Sequence, residues 1–184
     1  MRKVLYIFGL LTDADVAWMA RVATRRRLNP GEVVIEEGVN TDFLIILLDG
    51  VLQISTSEAG DVARARAGEI LGEVSLVDSA PPSATVRAEG ECLALFLNKE
   101  VLVRKLETDL GFGCRFYRAL AVALADRLRS TLRLPSYNEH GLGRERMVLR
   151  DELDAPILDT SSAAGERFNR MLKIVMESDS SGNT

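Results

Sequence analysis

Gly72 and Glu73 are adjacent residues whose types and position favour the binding of a ligand. A glycine adopts backbone conformations that are closed to other residues and lets the main chain approach a bound molecule closely. Glu73 stands in the first turn of a predicted short helix over residues 74–78, where unpaired N–H groups favour an anion. A carboxylate beside an anion site is reasonable if it accepts a hydrogen bond from a neutral hydroxyl, such as that of a sugar. The pair therefore predicts amides that hold a phosphate and an acid that holds a ribose.

The composition is that of an ordinary globular protein and argues against several partners. The chain has 184 residues, of which 47% are hydrophobic and 27% charged, and its net charge is −4. This charge gives no general attraction to nucleic acid or to an anionic membrane. The apolar run over residues 4–11 is too short to span a bilayer and has no secretory cleavage site, so a cytoplasmic protein is expected. Cys92 and Cys114 are expected to be buried thiols rather than a disulfide.

Residues 28–97 have the pattern of a β domain. Six strand-like runs alternate with glycine-containing turns, and they cover residues 32–36, 43–48, 51–56, 62–66, 84–88 and 92–97. Their regular spacing predicts a closed β sandwich or barrel. Asp49-Gly50 predicts a hairpin turn, because both central residues of that turn need positive φ. The run over 43–48 does not alternate, which predicts a strand covered on both faces.

Helices are predicted on both sides of this β domain. Thr12 and Asp15 resemble a capping box, followed by a short helix that ends near residues 25–27. Asn98 is predicted to cap a further helix. A long helix over residues 109–132 carries an apolar stripe formed by Phe116, Leu120, Leu124 and Leu128. This stripe predicts either a homodimer seam or packing on the β domain, and the dimer is favoured because the small β domain has few other faces to receive it.

The chain changes character after residue 134, so we divide it into residues 1–134 and residues 135–184. A loop is predicted over 137–143, an amphipathic helix over 162–177 and a disordered tail over 178–184. The apolar face of this last helix carries Phe168, Met171, Leu172 and Val175. It fits equally well against its own domain or against an unknown protein partner.

The spaced turns and the Gly72-Glu73 segment together resemble a known family. The resemblance rests on residues 30–32, 37–38, 49–50, 67–68, 72–76 and 83–86. In this order they are similar to the cyclic nucleotide-binding domains of the catabolite activator protein (Crp/Fnr) superfamily. The resemblance covers about residues 8–132. It implies a mainly β fold: an eight-stranded β-roll (a jelly-roll-like double-stranded β-helix), a short phosphate-binding helix after Gly72 and a long helix that pairs two subunits.

The resemblance also implies a set of ligand-binding residues, namely Gly72, Glu73, Val74, Ser75, Pro82, Ser83, Ala84, Arg127 and Thr131. Within this set Glu73 is implied to hold the ribose 2′-hydroxyl, and Gly72 to form part of the pocket floor. Ser83 and Ala84 are implied to offer a hydroxyl and an amide to the cyclic phosphate. Arg127 and Thr131 are implied to lie on the long helix as an ion-pair partner for Glu73 and as a base contact.

Pro82 departs from the family pattern at the phosphate. The pattern places an arginine at this position, and the proline removes both its charge and a backbone N–H. A charge-assisted hydrogen bond contributes about 1.5–3 kcal/mol. The loss of one or two such bonds weakens binding by about ten- to a thousandfold.

Three functions are consistent with this sequence. The first is a non-catalytic regulatory sensor that binds cyclic AMP or cyclic GMP and forms a homodimer through residues 109–132. The second is a dimerisation or protein-interaction module that binds no nucleotide. The third is a transcription regulator, because residues 166–173 resemble a recognition helix. However, DNA is not an expected partner: only about fifty residues follow Leu134, and Pro156 stands where the preceding helix belongs.

Neither an enzyme nor a metal protein is predicted. His140 is the single histidine of the chain, and it stands in a polar loop without a nucleophile motif. Carboxylates do not cluster in a metal-binding pattern, and no metal cofactor is expected.

Overall fold

The computed structural model describes residues 8–132 and 155–180, with side chains over residues 8–128 and 163–175. The helices that it describes are α1 Asp13–Val22, α2 Val74–Val77, α3 Lys99–Thr108, α4 Leu110–Leu132 and α5 Ala155–Ser180. The strands are β1 Thr24–Leu28, β2 Val33–Ile35, β3 Phe43–Asp49, β4 Val51–Thr56, β5 Gly60–Arg66, β6 Ile70–Leu71, β7 Thr85–Ala88 and β8 Cys92–Asn98. The predicted loop over 137–143, His140 and the domain boundary at residue 134 lie outside the described residues.

The eight strands form two four-stranded antiparallel sheets. One sheet has the order β1-β8-β3-β6 and the other the order β2-β7-β4-β5. Four flanking helices and the short α2 complete the described structure, and the long α4 follows the last strand and α3. The predicted eight-stranded β-roll is therefore confirmed.

Strand β3 is buried on both of its faces. Alternate side chains of a strand point to opposite sides of the sheet. Ile45 and Leu47 are buried between the two sheets, in the inner core, whereas Leu44, Ile46 and Leu48 are buried beneath the helices, in the outer core. The prediction that this strand is covered on both faces is confirmed.

The predicted capping box of α1 is present. Asp15 N donates to Thr12 Oγ1 at 3.2 Å, and Thr12 N donates to Asp15 Oδ2 at 2.7 Å. The predicted end of this helix is wrong, because α1 ends at Val22 and residues 25–27 lie in strand β1. Arg26 lies over the Phe96 ring at 4.4 Å from its centroid. The guanidinium is attracted to the face of the ring and also pairs with Glu32 at 2.9 Å, so this charged residue is stabilised within the strand.

Asp49-Gly50 is a corner between the sheets and not a hairpin, so that prediction is also wrong. β3 and β4 flank the turn but belong to different sheets. Gly50 has φ of 93°, and a Cβ atom here would lie 2.5 Å from Cys92 Sγ. The glycine is needed because the corner brings the backbone against β8.

Helix α3 begins after its predicted cap, and α4 follows its predicted bounds of 109–132 closely. Asn98 caps α3 through a bond from Val101 N to its Oδ1 at 3.2 Å. The apolar stripe of α4 is divided: Phe116 and Leu120 are buried in the outer core, whereas Leu128 is exposed. The homodimer seam stays a prediction.

The two cysteines differ in their surroundings. Both have free thiols, and Cys92 is buried as expected. Cys114 is exposed, so the expectation for this residue is wrong.

Helix α5 packs back onto its own domain. Met171 and Val175 are buried in the outer core, and Phe8 meets Phe168 edge to face at 5.4 Å between ring centroids. α5 is also longer than predicted: it includes residues 178–180, which were expected to be disordered. Residues 181–184 of that tail lie outside the described part. None of the helices in the described ranges is long and apolar enough to cross a membrane.

Candidate functional site

A cavity of about 80 Å³ lies where the turn between β6 and α2 meets the loop before β7. Its lining comes from both sheets, the loop and α4, and consists of Ile35, Ile54, Leu71, Gly72, Glu73, Val74, Pro82, Ser83, Ala84, Val86 and Arg127. Seven of the nine predicted binding residues are therefore brought together at one place. Whether they bind a ligand stays a prediction.

Gly72 holds the floor of this cavity close to strand β3. Its φ of 80° is in the left-handed region that favours glycine, and a Cβ atom would lie 2.9 Å from the carbonyl oxygen of Phe43. A larger residue would push the β6–α2 turn away from the sheet. Gly72 thus fixes where the next residue, Glu73, enters the cavity.

Glu73 is a buried carboxylate, with only 3% of its surface exposed. Its Oε1 accepts a hydrogen bond from Arg127 Nη1, and Arg127 Nη2 also donates to Ile70 O at 3.2 Å. The ion pair that the resemblance implied is thus present, and it connects α4 to the turn before α2. Among the described residues, nothing donates to Glu73 Oε2. One oxygen of a buried acid is therefore left to accept a hydrogen bond at the cavity.

The loop before β7 is fixed by its backbone and provides no cation. Pro82 O accepts from Gly38 N at 2.8 Å, and Thr85 Oγ1 accepts from Glu37 N at 3.1 Å. These bonds fix the loop against the chain that follows β2. Of the cavity-lining side chains, Arg127 is the sole cation within the described part of the chain, and it is paired with Glu73. The two charges cancel, so the described lining is close to neutral.

The other two predicted residues are not among the described lining of the cavity. Ser75 bonds to Lys99 instead: its Oγ accepts from Lys99 Nζ at 2.7 Å and donates to Gly72 O at 3.3 Å. Thr131 belongs to α4, but its side chain lies outside the described residues. Their roles as ligand contacts stay predictions.

Four apolar residues of the lining were not predicted from the sequence: Ile35, Ile54, Leu71 and Val86. They come from β2, β4, β6 and β7, and their side chains belong to or pack against the inner core. Strand alternation is the signal that would have found them, because Ile54 shares a face with the buried Leu52. Lys99, the partner of Ser75, was not singled out from the sequence either. Its position in the first turn of a helix was a signal, because a lysine there is opposed by the helix dipole.

Comparisons with known proteins find the family that the sequence resembles. The profile of the cyclic nucleotide-binding domain family matches residues 25–109. Potassium channel AKT1 of Oryza sativa subsp. indica is 27% identical over 83% of this chain and 17% of the channel. The cAMP-dependent protein kinase regulatory subunit of Yarrowia lipolytica is 32% identical over 48% of this chain and 24% of that protein. The chain thus spans less than a quarter of the length of these two curated relatives.

Solved structures extend the likeness to the fold. A cyclic nucleotide-binding domain from Methylobacillus flagellatus aligns with a TM-score of 0.64 and 22% identity, over 78% of this chain and 85% of that one. The family profile covers the strands from β1 to β8, α3 and every predicted site residue except the two on α4. Residues 25–109 thus match the cyclic nucleotide-binding domain family, which is the family that the glycine turns and the Gly72-Glu73 pair resemble.

Proposed function

We propose that this domain is a non-catalytic regulatory sensor that binds a cyclic nucleotide, cyclic AMP or cyclic GMP, in the cavity beside Glu73. The observation that carries the proposal is the state of the Glu73 carboxylate. It is buried, one oxygen is held by Arg127, and the other has no donor among the described residues. No fully buried side-chain oxygen of the described residues lacks a hydrogen-bond partner, so this second oxygen is open to the cavity, where a ligand hydroxyl can donate to it in place of water.

Each part of the nucleotide has a counterpart in the site. Glu73 Oε2 accepts from the ribose 2′-hydroxyl, and Gly72 gives the sugar close access to the main chain. Ser83 and Ala84 offer a hydroxyl and an amide to the cyclic phosphate. Thr131 contacts the base from α4. The apolar side chains of Leu71 and Val86 exclude water from the sugar.

Binding is weak in this proposal because of Pro82. No arginine reaches the phosphate from the loop, and Arg127 is engaged by Glu73. We expect affinity about ten- to a thousandfold below that of a site in which an arginine stands at this position.

Helix α4 transmits the bound state to the rest of the protein. The cavity of about 80 Å³ is small beside the roughly 300–1,000 Å³ of ordinary ligand sites. Since α4 brings Arg127 to the cavity, a displacement of α4 enlarges it and changes the exposed surface of that helix. Leu110, Tyr117 and Leu128 form apolar parts of this surface and serve a homodimer through residues 109–132.

The small cavity also supports the second candidate, a dimerisation or protein-interaction module that binds no nucleotide. In that case the Glu73–Arg127 pair is a permanent structural contact and α4 does not move. Isothermal titration calorimetry of the full chain with cyclic AMP and cyclic GMP separates the two candidates. Saturable heat with either nucleotide supports the sensor. A dissociation constant weaker than about 1 mM for both, equivalent to about −4 kcal/mol, supports the module.

A further inference from the structure

A second and larger cavity lies beside α2, and its described lining shares no residue with that of the first. This groove has a volume of about 470 Å³, within the range of ordinary small-molecule sites. It runs between α2 and α3 and is lined by Ser75, Leu76, Ser79, Lys99, Glu100, Val103, Arg104 and Glu107. The opposite face of α3, with Leu102 and Leu106, is buried in the outer core. The fold therefore fixes which face of α3 is turned toward the groove.

Lys99 is a half-buried cation of this groove without an ion-pair partner among the described residues. Its ammonium donates to the Ser75 hydroxyl at 2.7 Å, and within the described ranges no carboxylate lies at ion-pair distance from it. Partial burial lowers the pKa of Lys99, against the more distant attraction of Asp42 and Glu73. Its position in the first turn of α3 adds repulsion from the helix dipole. A half-buried cation in such surroundings is stabilised by an anion.

The remaining lining shows what kind of anion fits. The Arg104 guanidinium has no ion pair with any described residue, and the Ser79 hydroxyl adds a neutral group that can donate to an oxyanion. Val103 and Leu76 provide apolar surface beside them. Glu100 and Glu107 make a second anionic group unfavourable and favour hydroxyl or amino groups on the rest of the molecule.

We propose that the groove between α2 and α3 is a second binding site, which takes a small molecule with one oxyanion group, a phosphate or a carboxylate, held by Lys99 and Arg104. The site is linked to the first cavity through a short chain of hydrogen bonds. Lys99 donates to Ser75, and Ser75 donates to the carbonyl of Gly72 at the cavity floor. The proposal does not depend on a cyclic nucleotide in the first cavity.

Amide NMR of the ¹⁵N-labelled full chain tests this site, with inorganic phosphate and succinate as probes at constant ionic strength. We expect saturable shifts over residues 75–79 and 99–107 with at least one probe, and the comparison of the two probes distinguishes phosphate from carboxylate. Lys99→Gln weakens that binding by about tenfold or more, because a charge-assisted bond is lost. Arg104→Gln, at an exposed position, weakens it in the same direction.

The control is Lys173→Gln, which removes the same charge from an exposed position on α5. Its titration is expected to match that of the unchanged chain, and Lys99→Arg is expected to keep most of the affinity. The proposal is overturned if neither probe gives saturable shifts, or if Lys99→Gln and Lys173→Gln titrate alike. It is also overturned if the shifts centre on residues 72–74 and 82–84, which belong to the first cavity.

Discussion

Two buried carboxylates pair with arginines of the same helix, and they differ in how fully their oxygens are used. Asp15 pairs with Arg115 beneath α1, and Glu73 pairs with Arg127 at the cavity. The two acids are 5% and 3% exposed, and both arginines are partly exposed. The two ion pairs are therefore nearly matched in burial and in charge. They differ in the number of hydrogen bonds that each carboxylate accepts.

Both oxygens of Asp15 are occupied. Arg115 donates through Nε at 2.7 Å and through Nη2 at 2.9 Å, one bond to each oxygen, and Thr12 N adds a third bond. At Glu73 a single described bond reaches one oxygen. A fully satisfied buried pair contributes to stability and specifies the packing, whereas a buried acid with an open oxygen has capacity for a ligand. The comparison separates a structural ion pair from a candidate binding group.

The largest expected effect is on stability. Asp15→Ala removes the carboxylate from the bidentate pair and from the capping box, and we expect a loss of about 3 kcal/mol in the free energy of unfolding. Urea denaturation measures it. Asp13→Ala, two residues earlier, removes two ion pairs of an exposed carboxylate and is expected to cost less. Equal losses in the two variants would contradict the structural role given to Asp15.

The second-largest expected effect is tighter binding of a cyclic nucleotide in the cavity beside Glu73. Pro82→Arg supplies a cation to the phosphate loop, while the backbone bond from Gly38 N to residue 82 O is kept. We expect cyclic nucleotide to bind about tenfold tighter or more. Calorimetry measures the change, and Pro81→Arg is the control, since it adds the same charge at an exposed residue outside the cavity lining. A gain of the same size in both variants would indicate general attraction and no phosphate site.

The smallest expected effect is a pH dependence. Burial raises the pKa of Asp15, but hydrogen bonds from Arg115 and Thr12 outweigh it and hold that pKa below its usual value. The pKa of Asp15 is lower in the folded than in the unfolded chain. Its carboxylate therefore makes its full contribution to the free energy of unfolding above the ordinary aspartate pKa of about 3.9, and that contribution is lost as pH falls through the pKa of the folded state. The stability difference between the unchanged chain and Asp15→Ala is thus constant from pH 7 to about pH 5 and shrinks below about pH 4. Urea melts at several pH values measure it, and a difference that grows on acidification would have the wrong sign.

Much of the fold was predictable, because its signals are local. The turns at regular spacing, the non-alternating run of β3 and the caps at Thr12 and Asn98 predicted elements that the structure contains. Strand β1 was missed because Arg25, Arg26 and Arg27 show no apolar alternation. That strand is specified by its pairing with β8 and by stacking on Phe96, which are contacts distant in sequence.

The candidate site was predictable where a turn or a carboxylate is distinctive in sequence. Gly72 and Glu73 are of this kind, and the partner of Glu73 on α4 followed from the family resemblance. The apolar lining depends on how the two sheets face each other, which no local pattern reports. The direction of the Ser75 side chain, which bonds to Lys99, could not be read from the sequence, because a four-residue helix gives too few residues to fix which face a side chain occupies.

The most direct test of the sensor account is calorimetry of cyclic AMP and cyclic GMP with the unchanged chain and with Glu73→Gln. Glu69→Gln is the matched control, since Glu69 is also buried but does not line the cavity. The account predicts saturable binding to the unchanged chain, a loss of about tenfold or more in Glu73→Gln, and near-normal affinity in Glu69→Gln. Absence of binding to the unchanged chain, or equal affinity in Glu73→Gln, would contradict it.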